Sequence, residues 1–311
     1  MNPARQGAAH LDLGRRVLAV SGPKRQEFLH GLLSNDIASL RPGEGRLSAL
    51  MDARGHVLAL MRALVSKDAV LLELDADRLD LVRALLERYR VAAPVRFAAP
   101  ETAVLAVLGP EARAALSRAG AETPGLPPGG HFETSLGRAP VRIARASDLP
   151  AGAFVVHAPS DAAAAVANAL EAAGSNALAR EAFDALRVEE GRPLYGVDVD
   201  EDNLLHETGL LAEYHSPTKG CYVGQETVAR LEARGGHVSR ALRGLRLSRP
   251  SARGASIQAE GQDAGRVTTA AVSDRVGPIA MGYVHRNHFA PGTEVFVDGA
   301  PATVAALPFP P

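Results

Sequence analysis

The chain holds one cysteine, no tryptophan, and aromatic residues at 4% of its 311 positions. A single thiol excludes an internal disulfide, and alone it cannot hold an iron–sulfur cluster, which ordinarily takes four protein thiolates. With so few aromatic rings, a stacking platform for single-stranded nucleic acid is not expected. An excess of either charge is also missing. The chain sets 34 Lys and Arg against 35 Asp and Glu, a net charge of −1, so no bulk attraction to nucleic acid or a membrane surface is expected. No hydrophobic run has the length of a membrane span. Residues 1–18 are broken by Arg5, Asp12, Arg15 and Arg16, so a secretory signal is not expected. There is no CxxC, HExxH, Walker loop or dinucleotide-binding glycine fingerprint. His206, His215 and His237 stand at no ligand spacing, so no metal site is expected. What remains is a composition of 46% hydrophobic and 22% charged residues, that of a cytoplasmic globular protein long enough for two or three domains.

Hydrophobic periodicity orders the chain. Residues 16–20 read as a strand, and Ser21-Gly22-Pro23 opens a helix with Phe28, Leu29, Leu32 and Leu33 on one face. Ser34-Asn35-Asp36 is a polar cluster that ends it. Strands follow at 46–51, 56–65 and 69–74, with a turn at 52–55, and then an amphipathic helix at 77–90. The same order recurs: a strand at 102–108, a helix at 110–119, strands near 139–144 and 153–157, and a helix at 161–173. Strand–helix–strand–strand–helix used twice predicts two ferredoxin-like α+β modules. The Pro/Gly-rich segment 123–130 is a loop within this region. A further helix at 179–190 leads to Gly191, Pro193 and Gly196, an irregular connection. Past Ser239, short strands at 244–247, 256–259, 265–272, 279–285, 293–297 and 302–306 alternate with turns, Asp298-Gly299 being a two-residue hairpin signal. They predict a C-terminal β-barrel-like domain. The expected division is 1–238, as two modules of roughly 1–98 and 99–238 free to interleave, and 239–311.

The lone cysteine sits in Lys219-Gly220-Cys221-Tyr222-Val223-Gly224-Gln225-Glu226, ahead of a helix that Gly235-Gly236 closes. A helix start and a nearby lysine favour the thiolate, and flanking glycines let the backbone turn sharply. Cys221 is therefore a candidate functional thiol with Lys219 as its helper. The competing reading is a small buried hydrophobe.

Lys-Gly-Cys-Tyr-x-Gly-Gln-Glu resembles the signature of the YgfZ family, folate-binding proteins implicated in iron–sulfur cluster maturation and related to the glycine cleavage T-protein, an aminomethyltransferase. Three further segments are similar to that superfamily: Phe-Leu-His-Gly-Leu-Leu-Ser-Asn-Asp around Asn35 and Asp36, Arg187-x-Glu-x-Gly-x-x-x-Tyr195-Gly-x-Asp198, and Glu207-Thr-Gly-Leu. The resemblance implies a T-protein-like fold, with both modules and the barrel set around a central folate cavity. It implies tetrahydrofolate, or a one-carbon derivative, as cofactor. It places Asn35, Asp36, Arg187, Tyr195 and Asp198 near the folate, with Glu207 holding the pterin. The chemistry suits that role, because a carboxylate accepts a ring N–H and an adjacent amine as a bidentate pair.

One departure bears on activity. T-proteins carry an aspartate pair shortly after the glycine of the second meander strand, and this chain has Ala59 and Leu60 there. An alkyl side chain exchanges no proton. The expectation is therefore an accessory protein for [4Fe–4S] assembly or repair, with iron–sulfur assembly proteins or client enzymes as transient partners. A working aminomethyl transferase and a non-catalytic folate sensor are the alternatives.

Overall fold

The structure is a computed structural model that describes residues 2–150 and 152–310. The first meander folds as a five-stranded antiparallel sheet, in the spatial order Gly45–Met51, Val57–Val65, Ala69–Asp75, Arg15–Ser21 and Arg96–Ala98. Apart from the edge strand Gly45–Met51, this is the ferredoxin-like order, in which the module's first strand lies between its third and fourth. Helices Arg25–His30 and Leu79–Arg90 cover one face, burying Leu29, Val82 and Leu86 against Leu18, Ala59, Met61 and Leu72.

The second sheet repeats the plan with two additions. Its order is Ser175–Ala177, Ala8–Asp12, Thr102–Leu108, Phe154–Pro159, Ala139–Arg145 and His131–Leu136. Ala8–Asp12 is inserted between the module's first and fourth strands, antiparallel to Thr102–Leu108 and parallel to Ser175–Ala177. Neither this strand nor His131–Leu136 was expected from the sequence. Ala-Ala-His-Leu-Asp has no alternation to mark it, and all but its last residue is buried, so the slot between two strands makes it one. His131–Leu136 does alternate in burial and was legible in principle. The expected helix at 77–90 divides into a 3-10 turn, Ala76–Arg78, and the α-helix Leu79–Arg90.

The uncovered faces of the two sheets meet. Val17 and Leu64 of the first pack with Leu11, Val104, Ala106 and Val155 of the second and with Phe183 of helix Arg180–Glu189. A buried charge network lies in the same interface. Arg62 Nη1 donates to Glu73 Oε2 at 2.5 Å, and Arg62 Nη2 to Asp148. Arg15 Nη1 reaches Glu73 at 2.9 Å and Asp148 at 3.0 Å, and His157 Nε2 lies 2.7 Å from Glu73.

The C-terminal strands Arg240–Leu247, Gly277–His285, Gln262–Ser273, Ser256–Ala259, Glu294–Val297 and Ala300–Ala305 close into a six-stranded barrel in that order. Asp298 and Gly299 take φ values of 46° and 75°, the left-handed pair that a two-residue hairpin requires. Helix Arg180–Glu189 lies against the barrel, where Val188 packs on Leu242, Met281 and Tyr283.

Candidate functional site

The helix Gln225–Ala233 carries the central motif into place. Gly224 precedes it at φ 86°, and a Cβ there would fall 2.7 Å from the Asp52 carbonyl oxygen, so glycine lets the helix start press against the turn at 52–55. Lys219 turns inward. Its Nζ donates to the carbonyls of His30 at 2.5 Å, of Leu33, and of Asn35 at 3.2 Å, and it lies 4.7 Å above the Tyr222 ring. Burial pushes its pKa down to about 8. The ammonium thus satisfies the last carbonyl of helix Arg25–His30 and two carbonyls of the turn that follows it. Cys221 is exposed, three residues ahead of Gly224. No hydrogen bond joins it to Lys219 among the described residues, so the two share a segment and do not form a pair. Gly220 is exposed, Gln225 is half-buried, and Glu226 pairs with Arg230 at 2.5 Å on the solvent side.

The turn that Lys219 grips is itself tightly bonded. Asn35 Nδ2 donates to the carbonyls of Leu47 at 2.9 Å and Glu213 at 3.1 Å, while Ser48 Oγ accepts the Asn35 N–H. Burial would raise the Asp36 carboxyl, but bonds from Ser39 together with Arg46 and His30 hold it below the usual range.

Arg187 and Asp198 come together at the joint with the barrel, whereas Tyr195 lies in the central cluster against the first sheet. Arg187 donates to Asp198 at 2.6 Å, Asp184 at 2.5 Å and Thr269 Oγ1 at 2.8 Å. Asp198 also receives Leu194 N at 3.0 Å and the hydroxyls of Thr268 and Thr269 at 2.6 and 2.7 Å. Tyr195 donates its hydroxyl to the Val57 carbonyl at 3.2 Å, and burial pushes its pKa up to about 12.

Glu207 lies in the short 3-10 turn Leu205–Glu207 and is 5% exposed. Its carboxylate Oε2 accepts from Leu204 N and from Arg240 Nε, each at 3.3 Å. Arg240 comes from the first barrel strand, 33 residues away, and no local pattern marked it as a partner.

The pleat separates Ala59 from Leu60. Ala59 faces the helices, while Leu60 faces the centre among Ala49, Tyr195, Leu205, Tyr214, Tyr222 and Val228. Of the expected acid pair, position 60 is thus the one on the central face, and an apolar and tyrosine cluster surrounds it. The Tyr222 hydroxyl in this cluster is buried and has no hydrogen-bond partner among the described residues. Alongside opens a cavity of about 450 Å³ lined by Asn35, Arg46, Leu47, Arg62, Glu213 and His215, with Leu47 shared between cavity and cluster.

This architecture has named counterparts. Residues 4–213 match the GCVT N-terminal domain, and residues 240–310 match the glycine cleavage T-protein C-terminal barrel domain. The chain belongs to the glycine cleavage T-protein family. A crystal structure of the glycine cleavage system aminomethyltransferase T from Bartonella henselae superposes with a TM-score of 0.88 at 29% identity, covering 99% of this T-protein family member and 87% of that chain. An aminomethyltransferase of Streptomyces coelicolor is 30% identical over 312 residues, 94% of this chain and 83% of that protein. A chloroplastic protein of Arabidopsis thaliana named a "putative transferase" is 27% identical over 285 residues, 90% of this chain and 66% of that protein, so a third of the plant protein lies outside the match. These relatives bear the names of transferases, and none of the three is named for iron–sulfur assembly. Among the described residues no helix is long and apolar enough to cross a membrane.

Proposed function

We propose that this T-protein family member binds tetrahydrofolate, or a one-carbon derivative, with Glu207 receiving the pterin's N–H groups, and that it handles the one-carbon unit as its transferase relatives do. The observation that carries the reading is Glu207 itself. It is a buried carboxylate fixed by Leu204 and Arg240, next to Leu205 of a cluster rich in tyrosine. Residues of the chain fit such a ligand. The orphaned Tyr222 hydroxyl calls for a polar partner, and Arg46, accessible at the adjoining cavity, suits an anionic tail, whereas Arg62 beside it is already held by Glu73 and Asp148. We take residues 1–238 as the folate-binding body and 239–311 as the barrel that supports Glu207 through Arg240. Titration calorimetry with tetrahydrofolate tests the assignment. Glu207→Gln should weaken binding by about 10- to 100-fold, as expected for lost hydrogen bonds to a charged acceptor. Equal affinity in the variant would remove Glu207 from the site.

A second reading has its own support. Leu60 offers no proton where an acid was expected, and the exposed Cys221 lies within the YgfZ-like motif. Both favour a folate-binding accessory role in [4Fe–4S] assembly, with Cys221 contacting a partner or a sulfur species. An aminomethyl-transfer assay with the other cleavage-system components separates the two. Turnover like that of an aminomethyltransferase supports the first. Absent turnover, with loss of [4Fe–4S] enzyme activity in a deletion strain that Cys221→Ser does not restore, supports the second.

A further inference from the structure

The ionisable side chains that line the cavity beside the tyrosine cluster are Arg46, Arg62, Glu213 and His215. All but the last are engaged. Arg62 is held by Glu73 and Asp148, Arg46 lies 3.3 Å from Asp36, and Glu213 accepts from Arg192 at 2.7 Å. The His215 ring packs on Tyr222 with centroids 5.9 Å apart and has no hydrogen bond or ion pair among the described residues. Its backbone is nevertheless fixed. The His215 N–H donates to the Leu211 carbonyl at 3.0 Å, and the next N–H, of Ser216, to the Ser34 carbonyl at 3.2 Å. A ring so placed keeps its hydrogen-bonding capacity for a ligand.

His215 also stands at a border. Through Tyr222 it adjoins the cluster that contains Leu60 and Leu205, and it lines the cavity together with Arg46. In a tetrahydrofolate with its pterin at Glu207 and its anionic tail at Arg46, the secondary amines that join ring to tail fall between those two points. That is where His215 stands, and it is where Leu60 offers no proton.

We propose that His215 is the proton-exchanging residue of this cavity, supplying what Leu60 lacks. The proposal rests on the transferase reading above, with an aminomethyl compound as donor. A secondary amine of the folate bonds through its lone pair to the donor's methylene carbon. The bond from that carbon to the departing amine breaks, and its electron pair leaves with the nitrogen. The proton released by the folate nitrogen passes to His215 and from there to the departing amine, so the imidazole is regenerated and nothing is oxidised or reduced. The surroundings keep the ring ready to accept. Burial lowers the His215 pKa, with Glu232 of helix Gln225–Ala233 opposing and Lys219 assisting. His206 of the turn Leu205–Glu207 is itself held low by burial, and Arg46, Arg62 and Glu213 across the cavity carry their own counter-ions.

The test measures aminomethyl transfer against pH for the full chain and for His215→Gln, with tetrahydrofolate titration of both by calorimetry. The variant should lose about 100-fold in transfer rate. Its folate affinity should stay within about 3-fold of the wild type, because glutamine still donates and accepts hydrogen bonds. The wild-type rate should fall as pH drops below about 6.5 and the imidazole fills with a proton from water, a limb that the variant should lack. Added imidazole should restore part of the rate to His215→Ala, a recovery that a purely structural role would not give. Thermal unfolding checks that both variants are folded. Wild-type turnover that persists in His215→Gln with an unchanged pH profile would overturn the proposal and leave the transferase reading standing. So would a rate loss matched by an equal loss of folate affinity and not rescued by imidazole. Absent turnover in the wild type would overturn both.

Discussion

Two joints hold this molecule together, and both are built on a buried arginine. Between the sheets, Arg62 and Arg15 share Glu73 and Asp148, with His157 closing the network from the second sheet. At the barrel, Arg187 meets Asp198, which also holds two threonine hydroxyls and a backbone N–H. Each carboxylate of the first joint depends on charged partners. Asp198 in the second has neutral donors to fall back on. Buried charges lose much of their solvation, so the network should fail sharply when one member is removed and the barrel joint more gradually.

Breaking the first joint should therefore have the largest effect. Arg62→Ala leaves Glu73 and Asp148 underpaired and should cost about 3–5 kcal/mol in urea unfolding. A loss no greater than that of Arg187→Ala would erase the distinction. The network also predicts a pH dependence. Burial would raise both carboxyls, but Arg62 and Arg15, with His157 at Glu73, hold Glu73 well below and Asp148 below the usual range. Folded-state pKa values below the unfolded ones give stability that is complete above about pH 4–5 and lost as pH falls through the depressed values. Arg62→Ala should flatten that loss.

Next in size, Arg187→Ala should cost about 2–3 kcal/mol, because Asp198 keeps its hydroxyl and backbone donors. Its signature should be local. Amide exchange in Gln262–Ser273, which carries Thr268 and Thr269, should quicken before exchange in the N-terminal sheets. Uniform quickening would mean that the barrel is not held separately.

Smaller again, Lys219→Met removes the ammonium from three carbonyls and should cost about 1–2 kcal/mol. Limited proteolysis should then cut first within 30–36. A wild-type cleavage pattern would show that Lys219 does not hold this turn. Cys221→Ser should change stability by less than about 0.5 kcal/mol, as expected for an exposed side chain without a packing role, while native Cys221 is alkylated by iodoacetamide without unfolding. Slow alkylation with a clear loss of stability would mark the cysteine as packing instead.

Much of the fold was legible. The strands expected at 102–108 and 256–259 stand at those residues, and the Asp298-Gly299 hairpin and the 52–55 turn formed where glycine permitted them. The network was partly visible as well, since Arg62 and Glu73 interrupt otherwise apolar strand runs. Sequence proximity makes Lys219 a helper for Cys221, yet its ammonium bonds to the turn at 30–35, a contact across nearly 190 residues that no local spacing encodes.

By itself, the sequence determined the periodicities, the turns and the four motif segments, because these depend on side-chain alternation and backbone freedom within a few residues. It also determined that Ala59 and Leu60 face opposite ways, because a strand repeats every two residues. Which of them faces the centre was decided by the sheet, whose helices cover the Ala59 side and leave Leu60 to the tyrosine cluster. Tertiary structure likewise placed Ala8–Asp12 in the second sheet, set Arg240 on Glu207 and stacked Arg240 on the Tyr283 ring. These contacts join segments tens to hundreds of residues apart, and their geometry exists once the sheets and barrel have packed.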